Sequence, residues 1–151
     1  MKIQMKPVKQ GFKLICDEDK IAEVTINQAR EGEHLERQDM FSRVTRVYED
    51  PTLRGLGIGD GKLRLQVEQN TRRLRRKEAY LTLSSITGMI DNEGNELFRA
   101  GDGTDGIWIK SAMTEDEFNL AWAMLPREVT EEIAEYVLDV NPDWDATRVG
   151  E

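Results

Sequence analysis

The chain has only one cysteine and one histidine among its 151 residues, and this scarcity excludes several kinds of site. Cys16 has no second cysteine with which to form an intrachain disulfide, so the sequence suits a reducing compartment. His34 also stands alone, which removes Cys/His metal clusters and histidine-based catalytic dyads or triads. Cys16 lies in an alternating apolar pattern with no histidine nearby, and we interpret it as a small buried hydrophobic residue rather than a nucleophile.

Long apolar runs are missing as well. No stretch approaches the roughly 18–20 apolar residues that a membrane-spanning helix requires. Residues 1–7 have no continuous apolar segment of the kind that secretory signal peptides carry. We therefore expect no membrane association and a location in the cytoplasm.

Positive charge is in the minority, with 21 Lys and Arg against 29 Asp and Glu. This balance argues against nucleic acid as a partner, because clustered Lys and Arg drive phosphate binding. One basic run, residues 72–77, departs from the pattern. We interpret it as a solvated face that answers the acidic C-terminal helices, within the fold or between subunits, in preference to a nucleic-acid contact.

The acidic residues are concentrated in the last third of the chain. Residues 113–151 contain 11 acidic and two basic residues, a net charge of −9, whereas residues 1–112 contain 18 acidic and 19 basic residues, a net charge of +1. A fold does not require such segregation, and charge asymmetry between parts of a chain reports on partners and solubility. The C-terminal third is therefore the first place to look for a partner-binding surface.

Near the N-terminus the sequence predicts a β-hairpin. Residues 12–16 and 22–26 each alternate apolar with polar side chains, and the charged segment 17–20 separates them. Two stretches of period two joined by a short polar turn are typical of a hairpin with one buried face.

The central region gives weaker signals. Residues 31–41 predict a short helix, and residues 42–48 either continue it or form a strand. The composition of residues 62–78 favours a second helix, while residues 79–90 are open between more helix and a strand. Residues 91–95 predict a turn.

The C-terminal segment gives the clearest pattern. Thr114 followed by Glu117 is a capping box, in which each side chain satisfies a backbone N–H at the helix start. Pro126 separates two amphipathic stretches and is tolerated at the start of the second helix. We expect residues 113–144 to form a helical hairpin with one apolar and one acidic side, and residues 145–151 to form a loose tail.

These patterns predict an α+β fold in a single domain over residues 1–151. It consists of an N-terminal β-hairpin, a mixed central region that completes a body over residues 1–112, and the C-terminal helical hairpin. At this length a domain can bury a core without disulfides or metals.

Residues 55–61 hold four glycines and invite a phosphate-binding interpretation. They do not fit a Walker A motif, because the residue after Lys62 is a leucine where the motif needs Ser or Thr. Residues 54–59 resemble the coenzyme-binding loop of acetyl-coenzyme A dependent N-acetyltransferases, whose backbone N–H groups cradle a pyrophosphate. Asp60 would place a carboxylate near those phosphates, so we retain this enzyme only as an alternative.

Two acidic, glycine-containing turns resemble calcium loops only superficially. Residues 91–94 and 102–106 both lack the ligand ladder and closing glutamate of an EF-hand. We interpret both as ordinary turns. The sequence therefore predicts no metal site, no cofactor and no catalytic residue, and we expect a protein that is not an enzyme.

Large apolar residues in the acidic segment are the candidate partner-binding residues. Exposed aromatic residues are enriched at interaction hot spots, which directs attention to tryptophan and tyrosine. Trp122 suits a core position between the two helices better than a surface anchor, and Trp144 either covers the helix end or meets a partner. The candidate set is Phe118, Trp122, Leu125, Tyr136 and Trp144.

Three stretches together resemble the tail assembly chaperones of tailed bacteriophages. The first is residues 24–37 (VTINQAREGEHLER), a strand that runs into an Ala-Arg segment. The second is residues 83–98, which contain ITGMI and an Asp-Asn-Glu-Gly turn. The third contains FNLAW at residues 118–122, Leu-Pro at residues 125–126 and VLDVNPDW at residues 137–144.

The resemblance implies an assembly factor that acts in the host cytoplasm and is absent from the finished virion. Such proteins coat the aggregation-prone tape measure protein and recruit tail tube subunits to it, and a frameshift extends part of the population in many members. The residues suit this work, because a soluble acidic body resists precipitation and grooves between amphipathic helices can hold a partner helix. Self-association is also compatible with the sequence. The second alternative, besides the acetyltransferase, is a small acidic inhibitor that mimics nucleic acid and blocks a host protein.

Overall fold

The computed structural model describes residues 1–3, 7–49, 60–100 and 108–145, with side chains placed in 1–3, 7–40, 68–100 and 108–145. Within these ranges the chain is α+β, as predicted. Its elements are β1 (Lys9–Lys13), β2 (Glu23–Asn27), α1 (Glu31–Glu49), α2 (Asp60–Thr82), β3 (Leu83–Thr87), α3 (Ile109–Ala112), α4 (Glu115–Ala123), α5 (Arg127–Val140) and a 3₁₀ turn (Pro142–Trp144).

The predicted N-terminal hairpin is confirmed. β1 and β2 pair antiparallel, with Phe12 opposite Val24, and the Asp17 carboxylate organises the turn by accepting the N–H groups of Ile21 and Ala22, each at 2.8 Å. The first strand ends at Lys13, earlier than the alternation suggested. The next backbone N–H groups instead donate to a carboxylate on α5, which is described below.

A third strand completes the sheet, whose order is β1-β2-β3. The open region 79–90 divides, because α2 continues to Thr82 and β3 follows at once, antiparallel to β2. Residues 42–48 continue α1 as helix, and the helix predicted over 62–78 is confirmed within the longer α2. Both strand and helix interpretations of 79–90 were therefore right for part of the segment.

Gly88 and Asp91 shape the chain after β3. Gly88 has a φ of +80°, and a Cβ placed there would lie 2.4 Å from the carbonyl oxygen of Ile21. Only glycine permits this approach of two backbones. The predicted turn at 91–95 is confirmed, since the Asp91 carboxylate accepts the N–H groups of Glu93 and Asn95 at 2.8 and 2.9 Å.

The C-terminal helical hairpin is confirmed, with both hydrogen bonds of the Thr114–Glu117 capping box present. Pro126 is the residue before α5 rather than its first helical residue, and its carbonyl accepts the N–H groups of Val129 and Thr130. Asn141 ends α5 ahead of the 3₁₀ turn. Of the tail predicted over 145–151, all but Asp145 lies outside the described residues.

One cluster of buried side chains joins the sheet to the helices. β2 and β3 contribute apolar residues on the face that the helices cover, and Phe118 of α4 is fully buried among other aromatic rings. Its ring centroid lies 5.2 Å from that of Tyr80 and 5.5 Å from that of Phe98. The hairpin that carries most of the negative charge is thus also a main contributor to the core.

Candidate functional site

The basic run of α2 lies against the acidic hairpin, as the sequence suggested for an intramolecular contact. The Lys77 ammonium lies 2.9 Å from the Glu115 carboxylate, and the Arg72 guanidinium lies 3.9 Å from that of Glu131. Part of the charge of α4 and α5 is therefore answered within the molecule. These pairs are exposed or half-exposed, so each contributes little to stability.

A groove of about 310 Å³ opens between α2 and the connection from α4 to α5. We call it the α2–hairpin groove. Apolar groups line much of it, namely Trp122, Ala123, Leu125 and Ala134. Pro126 turns the chain so that α5 returns beside α4, and the two alanines are too small to fill the space between the helices. Leu125 is half-buried at this corner.

Charged side chains border the same groove. Arg72 and Arg75 come from α2, and Arg127 and Glu131 come from the first turns of α5. The Arg127 guanidinium lies 2.8 Å from the Glu131 carboxylate, which also faces Arg72. The border thus holds three cations and one anion, so its local charge is positive in a chain whose net charge is −8.

Glu78, near the C-terminal end of α2, holds one of the border arginines in place. Its side chain is fully buried, and its two carboxylate oxygens lie 2.7 Å from the Arg37 Nε and 2.8 Å from the Arg75 Nη1. A buried carboxylate needs such partners, because leaving one charge without compensation costs roughly 3–5 kcal/mol. Glu78 therefore fixes α1 against α2 and holds Arg75 at the groove.

Three of the five sequence-predicted partner-binding residues are buried in the core. Phe118 is 0% exposed, Trp144 is 4% exposed and Trp122 is 9% exposed. For Trp122 this confirms the preferred interpretation as a core residue, although one edge of its side chain lines the groove. Phe118 and Trp144 are excluded as surface anchors in this conformation, because hardly any of their side-chain surface is accessible to a partner.

Trp144 instead fastens the end of the hairpin to α1. Its indole N–H donates to Nδ1 of His34 at 2.9 Å, and its carbonyl oxygen accepts from Arg37 at 2.9 Å. The Arg37 guanidinium also lies over the indole ring, 5.3 Å from the centroid. Because the indole N–H can only donate, Nδ1 of His34 is the acceptor of this hydrogen bond.

Tyr136 lies on the other side of α5, away from the groove. Its ring stacks on that of Phe12 with centroids 4.3 Å apart, and its hydroxyl donates to the Glu132 carboxylate at 2.8 Å. The five predicted residues therefore do not form one surface. Trp122 and Leu125 meet at the groove, and the other three serve separate packing contacts.

The sequence-based reasoning missed the residues that give the groove its character. The three border arginines belong to two elements far apart in sequence, so only the folded chain brings them together. The small residues Ala123 and Ala134 carried no signal by themselves. A second apolar surface was also missed on the outer face of α4, where Leu120 is 68% and Met124 is 70% exposed.

Glu132 is the carboxylate that ends β1 early. It accepts the backbone N–H groups of Ile15 at 2.7 Å and Cys16 at 2.9 Å, besides the Tyr136 hydroxyl. Burial by itself would raise the pKa of Glu132, but the hydrogen bonds from Tyr136 and from the two N–H groups outweigh it and lower the pKa. The carboxylate therefore stays ionised and ties α5 to the hairpin turn.

The neighbours of Glu132 shift in the opposite direction. Burial, reinforced by a hydrogen bond to Glu132, raises the pKa of the Cys16 thiol to about 11 and that of the Tyr136 hydroxyl to about 12. Cys16 is half-buried. At neutral pH its sulfur is a protonated thiol, which agrees with the interpretation of Cys16 as a packing residue, because only the thiolate is a strong nucleophile.

Two loops considered for ligands lie outside the described residues, namely the acetyltransferase-like segment 54–59 and the acidic turn 102–106. Among the residues that the structure does describe, no group of three His, Cys, Asp or Glu side chains is placed to hold a metal ion. In that same part of the chain, every helix is too short or too polar to cross a membrane.

Comparison with known proteins adds no assignment to this geometry. No protein-family model, no curated protein and no solved structure matches the chain.

Proposed function

We propose that the protein is a tail assembly chaperone of a tailed bacteriophage. It binds helical segments of the tape measure protein through the α2–hairpin groove in the host cytoplasm, and it recruits tail tube subunits without catalysing a reaction. The observation that carries the proposal is the groove itself, where Trp122 and Leu125 present apolar surface between helices.

A groove between helices suits an amphipathic helix as its occupant. Such a helix lays one apolar stripe into the groove and reads it with side chains spaced three or four residues apart. The half-buried Leu125 and the accessible edge of Trp122 supply the apolar contact. Charged groups at the border leave the contact reversible, which an assembly factor needs if it is to be released.

The overall charge supports the same role. A net charge of −8 keeps the chain soluble while it holds an aggregation-prone partner. Most of that charge lies on the hairpin that forms one wall of the groove, so a bound helix would be surrounded by a strongly hydrated surface.

Co-expression tests the proposal. The chain is produced together with a tape measure protein, the partner that we propose, and the soluble fraction and co-purification of that protein are measured. Ala123→Tyr places a bulky neutral side chain in the groove at an exposed position, whereas Met124→Tyr adds the same ring one residue on, outside the groove. Both substitutions are at the surface, so each should change the free energy of unfolding by no more than about 0.5 kcal/mol.

We expect the wild-type chain and Met124→Tyr to keep the partner soluble, and Ala123→Tyr to reduce co-purification at least about tenfold, which corresponds to about 1.4 kcal/mol of binding free energy. If wild-type chain and partner do not co-purify, the proposal is wrong. If Met124→Tyr alone abolishes binding, the outer face of α4 is the site and the groove is not.

A further inference from the structure

The sign of the charge around the α2–hairpin groove is opposite to that of the molecule. Three arginines and one glutamate border it, whereas the whole chain has eight more acidic than basic residues. We infer that the groove selects helices whose apolar stripe is flanked by carboxylates. This inference rests on the proposed function and specifies the chemistry of the partner helix.

The arginines retain positive charge after their internal contacts are counted. Arg72 and Arg127 share the single carboxylate of Glu131, at 3.9 and 2.8 Å. Their side chains are 51% and 66% exposed, so their guanidinium groups are accessible to a second carboxylate. An arginine has five N–H donors and one carboxylate engages at most two of them in a bidentate pair, which leaves donors for a partner.

Arg75 is the third cation of the groove, and it too shares its carboxylate with another arginine. Its contact is the buried Glu78, which it shares with Arg37. Glu131, Glu132 and Glu135 also lie beside Arg75, along a depression next to the groove. The excess of positive charge therefore belongs to the lining of the groove itself, which holds three arginines and one glutamate.

The apolar lining strengthens the preference for a carboxylate. When a partner helix covers Trp122 and Leu125 it excludes water from the border, and charge–charge attraction grows as the local dielectric constant falls. A lysine-flanked helix would meet the three arginines instead, and like charges at an interface oppose binding.

The test uses three synthetic helices that share one leucine stripe and differ only in their flanking residues, which are all Glu, all Gln or all Lys. Each carries a fluorophore, and binding to the full-length chain is measured by anisotropy at low and at physiological salt. Two exposed ion pairs should make the Glu helix bind about fivefold more tightly than the Gln helix. The Lys helix should bind more weakly than both.

Substitutions of the arginines test whether the preference for the Glu helix arises at the groove. The double variant Arg72→Gln/Arg127→Gln should reduce the preference for the Glu helix over the Gln helix to less than about twofold, because Arg75 is then the one arginine left in the groove lining. Arg73→Gln is the matched control, because Arg73 is exposed on α2 next to Arg72 but does not line the groove. It should keep the fivefold preference.

The outcomes separate the two proposals. Equal binding of the Glu and Gln helices by the wild-type chain would overturn the charge inference and leave helix binding intact, and tightest binding of the Lys helix would do the same. No binding of any helix would overturn both. If the chain alone forms oligomers in sedimentation and Ala123→Tyr returns it to monomers, a second copy occupies the groove and the inference is also wrong.

Discussion

Glu132 sets the chemistry of its neighbours from a single position on α5. Its carboxylate accepts two N–H groups of the β1–β2 turn and the Tyr136 hydroxyl, and it adds to burial, the largest cause, in raising the pKa values of Cys16 and Tyr136. The contacts of Glu132 with Ile15 and Cys16 join residues 117 and 116 positions apart, so the sequence around Cys16 gives no hint of them.

The reactivity of Cys16 measures this effect. With a pKa of about 11, the thiol should react with iodoacetamide at pH 7.5 far more slowly than a free cysteine, whose pKa is about 8.5. Glu132→Gln removes the negative charge and should accelerate alkylation severalfold while circular dichroism stays unchanged. The urea-unfolded chain gives the reference rate. Equal rates in the folded and unfolded chains would show that the pKa of Cys16 is not raised.

The pH dependence of the free energy of unfolding reports the lowered pKa of Glu132 itself. The folded-state pKa of Glu132 lies below its ordinary value of 4.5. Its contribution to the free energy of unfolding is therefore complete above that value and is lost as the pH falls through the lower, folded-state pKa. Urea unfolding at several pH values should show Glu132→Gln less stable than wild type at pH 7, with the gap closing below about pH 4.5.

Glu18→Gln, an exposed carboxyl in the same turn, is the control for that titration. Because its side chain is exposed, Glu18→Gln should change the free energy of unfolding at pH 7 by no more than about 0.5 kcal/mol. A gap between Glu132→Gln and wild type that stays constant down to pH 3 would mean that ionisation of Glu132 contributes nothing to the fold.

At the scale of elements, β3 depends on one glycine after it. Gly88 and Gly94 have nearly the same φ, +80° and +83°, but only Gly88 lies against another backbone segment. Alanine at position 94 should cost about 1 kcal/mol of unfolding free energy from the left-handed conformation alone. Alanine at position 88 should cost at least about 3 kcal/mol, because the Ile21 carbonyl must also move.

Chemical denaturation of the two glycine variants and wild type checks this difference. Equal losses of unfolding free energy for Gly88→Ala and Gly94→Ala would contradict the close approach of Gly88 to Ile21 in the β1–β2 hairpin. The slope of unfolding free energy against denaturant should be the same in all three proteins, because the surface exposed on unfolding does not change.

The elements predicted correctly from the sequence are those whose signals lie within a few neighbouring residues. The hairpin alternates over short stretches around its turn, and the Thr114–Glu117 capping box is complete within four residues. The boundary between α2 and β3 was left open, since residues 79–83 are buried whether helical or extended and the periodicity therefore fades. What ends the helix at Thr82 is pairing of the next residues with β2.

The candidate site was predictable only in part. The apolar stripe of α4 and α5 located the correct hairpin, and two of the five chosen residues line the groove. The apolar pattern does not reveal how far each residue is buried. Phe118 packs among aromatic rings in the core, whereas Leu125 stays half-buried. That distinction depends on how α2 crosses the hairpin, and no local spacing encodes it.

At the scale of the whole molecule, the segregation of charge acquires a structural meaning. The acidic hairpin packs its apolar side into the core, exchanges ion pairs with α2 and leaves a positive, apolar-lined groove where the two meet. An acidic exterior and a locally basic groove would let the chain stay soluble while choosing which helix it holds.

Site-specific photo-crosslinking tests the central claim most directly. A benzophenone amino acid is placed at position 123 in the groove or, as the matched control, at position 120 on the outer face of α4, and the chain is irradiated together with the tape measure protein that we propose as its partner. We predict an adduct from position 123 that maps to an amphipathic helical segment, and little from position 120. An adduct from position 120 with none from position 123 would contradict the claim that the groove holds the partner.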